Sequence, residues 1–252
     1  MGNLMRKNIL ITGASSGLGE GMARQFAAKG CNLALCARRM EPMQALKADI
    51  EASYPNVKVF IRELDVCNYP QVFEVFRAFQ QDMGSIDRVI VNAGMGKGAS
   101  LGTGYFEANR RTAETNFIGA LAQCEAALEI FREQNSGHLV TVSSMSAVRG
   151  MPRAINIYAA TKAGLRTMSE GIRADVLGTP IKVSCILPGF ILTPINKDLK
   201  KAPLRVDLET GCKALVKAID KEPAEAKVPA WPWVPMGVVM KFAPLKFIAK
   251  MT

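Results

Sequence analysis

Short apolar runs, each followed by a stretch of helical periodicity, recur along the whole chain and constrain its fold more than any other feature. Residues 8–12, 32–37, 57–61, 89–91, 137–142, 181–187 and 226–228 read as strands. Between them lie helical patterns: through Met22, Phe26 and Ala27 up to Gly30, over 41–53, along the face Val72, Phe73, Phe76 and Phe79, over 109–134, from Tyr158 to about residue 177, and over 208–221. Strands alternating with helices predict an α/β fold with a parallel sheet covered on both faces. A chain of 252 residues fits one large domain or two small ones, and no internal boundary or repeat interrupts the alternation. Residues 1–228 are therefore expected to form one domain, with 229–252 as a tail of that domain.

Hydrophobic residues make up 49% and charged residues 21%, enough for a large core and too apolar for disorder. A net charge of +10 points to acidic partners: nucleic acid, a membrane surface or the phosphates of a small molecule. The basic residues are dispersed apart from pairs such as Arg38-Arg39, Arg110-Arg111 and Lys200-Lys201, and no nucleic-acid module is recognisable, so no nucleic-acid partner is expected. The six cysteines contain no CxxC and sit partly in apolar runs, which predicts reduced core thiols and a cytoplasmic location. The chain reaches its first strand within a few residues, so no signal peptide is expected. Met1-Gly2 opens like a myristoylation site, but Arg6 stands where Ser or Thr is required. No apolar run is long enough to span a bilayer.

Between the first strand and first helix lies Gly13-Ala14-Ser15-Ser16-Gly17-Leu18-Gly19. Glycines there let backbone N–H groups and a helix N-terminus approach a phosphate closely, and the position at the first βα crossing makes a dinucleotide the expected ligand. The same residues match the G-x-S-x-G elbow of a hydrolase. That elbow needs strands before it and a histidine after the acid, and the single histidine, His138, opens a strand with nothing suitable following. His138 reads as a strand-edge residue. The second strand ends Cys36-Ala37-Arg38-Arg39; an acid there would bind the ribose hydroxyls of NAD, whereas the guanidinium of Arg38 suits a 2′-phosphate and Arg39 fits an ordinary surface role more readily than Arg38 does, so NADP is preferred with NAD as the alternative.

Tyr158 and Lys162 are four residues apart, one helical turn, and follow Ser143, Ser144 and Ser146. An ammonium beside a phenol favours the phenolate, lowers its pKa and makes it a proton donor and acceptor, while a serine hydroxyl can hold the oxygen that receives the proton. The motif is common on helix surfaces and gains weight only from its company.

With these residues in view the chain resembles a short-chain dehydrogenase/reductase of the classical type over about residues 7–195. The motifs are Thr12-Gly13-x-x-x-Gly17-x-Gly19, Asn92-Ala93-Gly94, Asn116 in the long helix, Tyr158-x-x-x-Lys162 behind serines, and Pro188-Gly189 with Thr193 beyond, in the family's order. The resemblance implies a Rossmann-type doubly wound parallel sheet of about seven strands in the order 3-2-1-4-5-6-7. It implies catalytic roles for Asn116, Ser144, Tyr158 and Lys162: Tyr158 as acid/base, Lys162 on the nicotinamide ribose, Ser144 on the substrate oxygen, and Asn116 supporting a water chain. It further implies cofactor contacts from Gly13, Ser15, Ser16, Gly17, Leu18, Arg38, Arg39, Asp65, Val66, Asn92, Ala93, Gly94, Tyr158, Lys162, Pro188, Gly189, Ile191 and Thr193, a carbonyl or secondary-alcohol substrate, no metal, and a homodimer or homotetramer. Ser144 stands fourteen residues before Tyr158, one more than is usual in the family, so Ser143 and Ser146 remain alternatives and an extra residue is expected near Arg153 or Ile155.

By the same analogy, residues 95–106 and a mobile loop over 194–207 border the substrate. Met95, Leu101, Tyr105, Phe190 and Leu192 predict a lipophilic one, with Lys97 as the single charged candidate hook. The tail holds Pro229-Ala-Trp-Pro-Trp233 and then apolar residues whose only charges are lysines, with Pro244 interrupting any continuous helix. That composition suits a membrane interface, a subunit contact or a cover for the pocket. Two other readings are a non-catalytic NADP-binding regulator, for which a depressed phenol would have no use, and a nucleotide-sugar epimerase, for which the C-terminal region is short.

Overall fold

The computed structural model describes residues 6–96, 98–194 and 204–250. Lys97, much of the 194–207 loop and the terminal Met1-Gly2 lie outside the described residues. The order of elements is β1 (Asn8–Thr12), α1 (Gly17–Ala27), β2 (Asn32–Ala37), α2 (Met40–Ser53), β3 (Val59–Glu63), α3 (Tyr69–Met83) and β4 (Arg88–Val91). A helical run follows: α4 (Phe106–Ala113), a π-helical turn (Glu114–Ile118) and α5 (Gly119–Gln134). The remainder is β5 (Gly137–Val142), two 3-10 turns (Met145–Val148 and Arg153–Ile155), α6 (Asn156–Asp175), β6 (Ile181–Pro188), α7 (Leu208–Ile219), β7 (Glu225–Val228), α8 (Ala230–Phe242) and α9 (Leu245–Ile248).

The seven strands form one parallel sheet in the order β3-β2-β1-β4-β5-β6-β7, as the resemblance implied. Side chains alternate between its faces. Ile9 and Ile11 of β1 pack with Met22 and Phe26 of α1 and with Leu215 and Ile219 of α7, while Leu10 faces Val72, Phe76 and Phe79 of α3 and Phe131 of α5. Each fully buried phenylalanine removes enough apolar surface to contribute about 1.5–3 kcal/mol. A third, smaller cluster lies under α8, where Trp233 and Met240 meet Met145, Cys185 and Leu187.

Three expectations need correction. The third strand is shifted: pairing begins at Val59 opposite Leu33, and buried Val57 precedes it. The long helix starts at Phe106 and is broken by the π-helical turn. His138 is no strand-edge residue. It is fully buried in central β5, where its Nδ1 accepts from Arg88 Nε at 2.9 Å and its Nε2 pairs with Ser184 Oγ at 2.8 Å. Arg88 in turn contacts Asp220 at 2.9 Å and Glu222 at 3.6 Å, tying β4, β5, β6 and the α7–β7 connection at the N-terminal edge of the sheet. All six cysteines are free thiols, five of them buried. Among the described residues no helix is long and apolar enough to cross a membrane.

Candidate active site

In a parallel sheet every strand ends at the same edge, and the loops leaving β1, β4, β5 and β6 bring the candidate residues together there. After β1 the backbone turns through Gly13 and Gly17, both in the left-handed region (φ 65° and 61°) that favours glycine. A β-carbon on Gly19 would stand 2.3 Å from the Gly13 carbonyl oxygen, so the first turn of α1 closes on the loop only because glycine is there. Thr12 pins the neighbouring loop: its hydroxyl accepts from the N–H groups of Asn92 and Ala93 at 3.0 Å, while Asn92 Nδ2 donates to the Thr12 carbonyl at 2.9 Å. Thr193, at the far side of the cleft, approaches Gly17.

The two arginines after β2 part company. Arg39, the N-cap of α2, donates to Ser16 Oγ at 2.8 Å and Ser15 Oγ at 3.1 Å and so lies across the glycine loop. Arg38 is exposed and stands 3.9 Å from Asp65. Asp65 Oδ1 accepts from the Cys67 N–H at 3.0 Å, which fixes the turn carrying Val66.

On α6, Tyr158 and Lys162 share a face, with Lys162 Nζ 6.0 Å from the centroid of the phenol ring. Lys162 is 5% exposed, and burial brings its pKa down to about 8. Its Nζ donates to the Val142 carbonyl at 2.8 Å, not to the phenol. The expected lowering of the Tyr158 pKa by the amine is accordingly not found. Desolvation pushes the phenol above its ordinary value, and the hydrogen bond with Ser144 acts in the opposite direction.

The serines separate by partner. Ser143 is buried and donates to the Lys162 carbonyl at 2.8 Å, so its hydroxyl is committed to holding α6. Ser144 Oγ caps the following turn by accepting from the Ser146 N–H at 3.1 Å and also reaches Tyr158. Between Ser144 and Tyr158, Arg153 has a φ of 57°.

Asn116 sits in the π-helical turn, a geometry often found where a side chain must be re-aimed. Its Oδ1 accepts from the Met95 N–H and its Nδ2 donates to the Met95 carbonyl, both at 2.8 Å, with a longer contact to Thr161 Oγ1 at 3.4 Å. A β-carbon on Gly94 would meet Asn116 Oδ1 at 3.2 Å and Lys162 Nζ at 3.5 Å, which shows how closely these elements converge. Across the cleft, Pro188 ends β6, Gly189 abuts the Trp233 indole, Phe190 packs edge-on to that ring at 5.5 Å, and Ile191 bridges to Val206.

The sequence profile of the short chain dehydrogenases matches residues 7–204. The chain belongs to the short-chain dehydrogenase family. As a dehydrogenase of this family it is an oxidoreductase, and it is 49% identical over 239 residues to an uncharacterized oxidoreductase of Mycobacterium tuberculosis, covering 95% of this chain and 94% of that relative. Among solved structures, a short-chain dehydrogenase/reductase from Burkholderia phymatum in complex with NAD superposes with a TM-score of 0.85 over 100% of this chain and 98% of the other, at 20% identity. The NADPH-dependent 3-quinuclidinone reductase from Rhodotorula rubra superposes with a TM-score of 0.76 at 24% identity, over 88% of each chain. Both share this dehydrogenase's fold.

Sequence reasoning did not single out Arg149, whose Nη1 donates to the carbonyls of Met240, Lys241 and Ala243 and anchors the end of α8 beside the Ser144 turn. Nothing in the sequence marks this arginine.

Proposed function

We propose that this dehydrogenase interconverts a carbonyl and a secondary alcohol with NADP, acting on a lipophilic substrate. The reading is carried by the convergence of Ser144, Tyr158, Lys162 and Asn116 at the edge where the glycine loop opens. That loop suits a dinucleotide: Gly13 and Gly19 leave no room for a side chain, and the guanidinium of Arg39 is held against Ser15 and Ser16 where a phosphate group would add to its contacts. When bound, the cofactor supplies the hydride. Gly13, Ser15, Ser16, Gly17 and Leu18 would hold its phosphates, Arg38 and Arg39 would favour a 2′-phosphate, Asp65, Val66 and Asn92 to Gly94 would receive its adenosine half, and Pro188, Gly189, Ile191 and Thr193 would receive its nicotinamide half.

Ser144 Oγ donates to the substrate oxygen, and Tyr158 gives that oxygen its proton in reduction and removes it in oxidation. A phenol raised by burial stays protonated at neutral pH and gives up its proton less readily, so the protonated Lys162 is needed to stabilise the phenolate as it forms. A lysine poised near pH 8 can provide that charge and be reprotonated along the Asn116 side of the site. The preference for a lipophilic substrate is supported by Leu101, Tyr105, Phe190 and Leu192, all apolar or aromatic and exposed. Tyr158→Phe should reduce NADPH oxidation against a panel of ketones by at least about a thousandfold, within the range of a lost general acid, and leave NADPH affinity within about twofold. Equal loss of both would overturn the assignment.

A further inference from the structure

The last structural segment carries an unpartnered apolar face. Apart from Lys241 in its last turn, α8 is apolar on every side, which is the signature of a buried helix. Only the stripe Trp233, Gly237 and Met240 is buried. The rest of α8 and its continuation expose Trp231 (79%), Val234, Val238, Phe242 (75%), Leu245 and Phe247 to solvent. Contiguous exposed apolar area of this kind marks an interaction surface. The charges around it have one sign: Lys241, Lys246 and Lys250 are exposed, and no Asp or Glu follows Glu225 in the sequence.

We propose that this face docks on the surface of an anionic lipid bilayer. Tryptophan and aliphatic side chains flanked by lysines fit the boundary between headgroups and acyl chains, where the lysines meet anionic lipid. A second copy of this chain fits less well, because a two-fold contact centred on this face would bring its lysine rim against itself, and the segment after Glu225 has no carboxylate to offer. The orientation follows from the anchors already described. α8 leaves the C-terminal end of β7, Arg149 ties its last carbonyls to the Ser144 side of the cleft, and Trp233 packs on Gly189 and Phe190. A docked α8 therefore lies between the lipid and the Gly189–Phe190 side of the candidate site. The docking itself does not depend on the reaction proposed above.

The test is co-sedimentation of the full chain with phosphatidylcholine vesicles, with and without phosphatidylserine. Two double variants are compared, Val238→Asp with Phe242→Asp and Lys241→Glu with Lys246→Glu, and circular dichroism melting reports on their folding. The wild-type chain should sediment with the phosphatidylserine vesicles and be released by high salt. Each double variant should bind at least about tenfold more weakly, since each surface lysine near anionic lipid contributes several-fold. If the aspartate pair does not fold, the glutamate pair, which changes only exposed charges, carries the test. Absence of wild-type sedimentation, or equal binding by a folded variant, overturns the proposal. So does a wild-type dimer in analytical ultracentrifugation that the aspartate pair dissociates without any vesicle binding, since that assigns the face to a second copy.

Discussion

Replacing Lys162 with methionine removes a buried amine while keeping an unbranched side chain of similar reach. Burial moves this amine from the ordinary 10.5 to about 8, so the fold disfavours its charged form. A tenfold change in proton affinity corresponds to about 1.4 kcal/mol, which puts the whole effect at about 3 kcal/mol, a sizeable part of the stability of an ordinary domain. The lost bond to the Val142 carbonyl offsets some of that gain by about 1 kcal/mol. The two contributions differ in their dependence on pH. Below pH 8 the amine is protonated in both the folded and the unfolded chain, and above 10.5 it is neutral in both. Between those values only the unfolded chain holds the proton, so the stability of the wild-type chain rises with pH, by about 1.4 kcal/mol for each step of one in pH. Methionine has nothing to titrate. Urea unfolding of both proteins at intervals from about pH 7 to 10 should therefore show the variant more stable at the lower end and the wild type gaining on it by about 2–3 kcal/mol as pH rises. A stability difference that stays flat across that range would refute the account of Lys162 as a desolvated amine.

Arg39→Ala should raise the dissociation constant for NADPH by at least about tenfold, the equivalent of one charge-assisted hydrogen bond, while leaving that for NADH nearly unchanged; fluorescence titration of the two cofactors checks both. His138 is held well below its ordinary pKa by burial and by the nearby charges of Arg88 and Arg6, so it stays neutral in the fold while the unfolded chain takes up a proton below about pH 6.5. Stability should fall as pH drops below that point, by up to about 1.4 kcal/mol for each step of one in pH, and thermal melts of His138→Gln should lack this component. Arg149→Ala removes the donor that holds three carbonyls at the end of α8 and should cost about 1–3 kcal/mol; limited proteolysis should then cleave the C-terminal region first.

The strand–helix alternation and the glycine turn after β1 are legible because they rest on local rules: period, turn chemistry and position. The convergence of Tyr158, Ser144, Asn116 and Lys162 follows from the family's motif order, and their immediate partners do not. Which arginine lies over the phosphate loop depends on how the chain leaves β2, and neighbouring residues there point to different sides. Helical spacing places an amine on the face of Tyr158 without saying where its nitrogen donates, so a lowered phenol pKa does not follow from the spacing alone. The π-helical turn is invisible, since one extra residue per turn leaves no compositional trace. The prolines of the tail argue against a helix before Pro244. With Trp231 in extended geometry, however, Pro232 falls at the first helical position, where the backbone N–H has no helical partner to lose, and only Pro235 lies inside the helix.

The clasp between Asn116 and both backbone groups of Met95 has a companion two helical turns earlier, where Asn109 Oδ1 receives the Ala99 N–H at 2.9 Å. Two asparagines of one helical run thus staple the near half of the 95–105 segment to the scaffold. Residues 100–105 lie beyond both staples, and there Gly102 and Gly104 have positive φ. Leu101 and Tyr105 stand exposed on that far half, while the amide of Asn116 is held by both backbone groups of Met95.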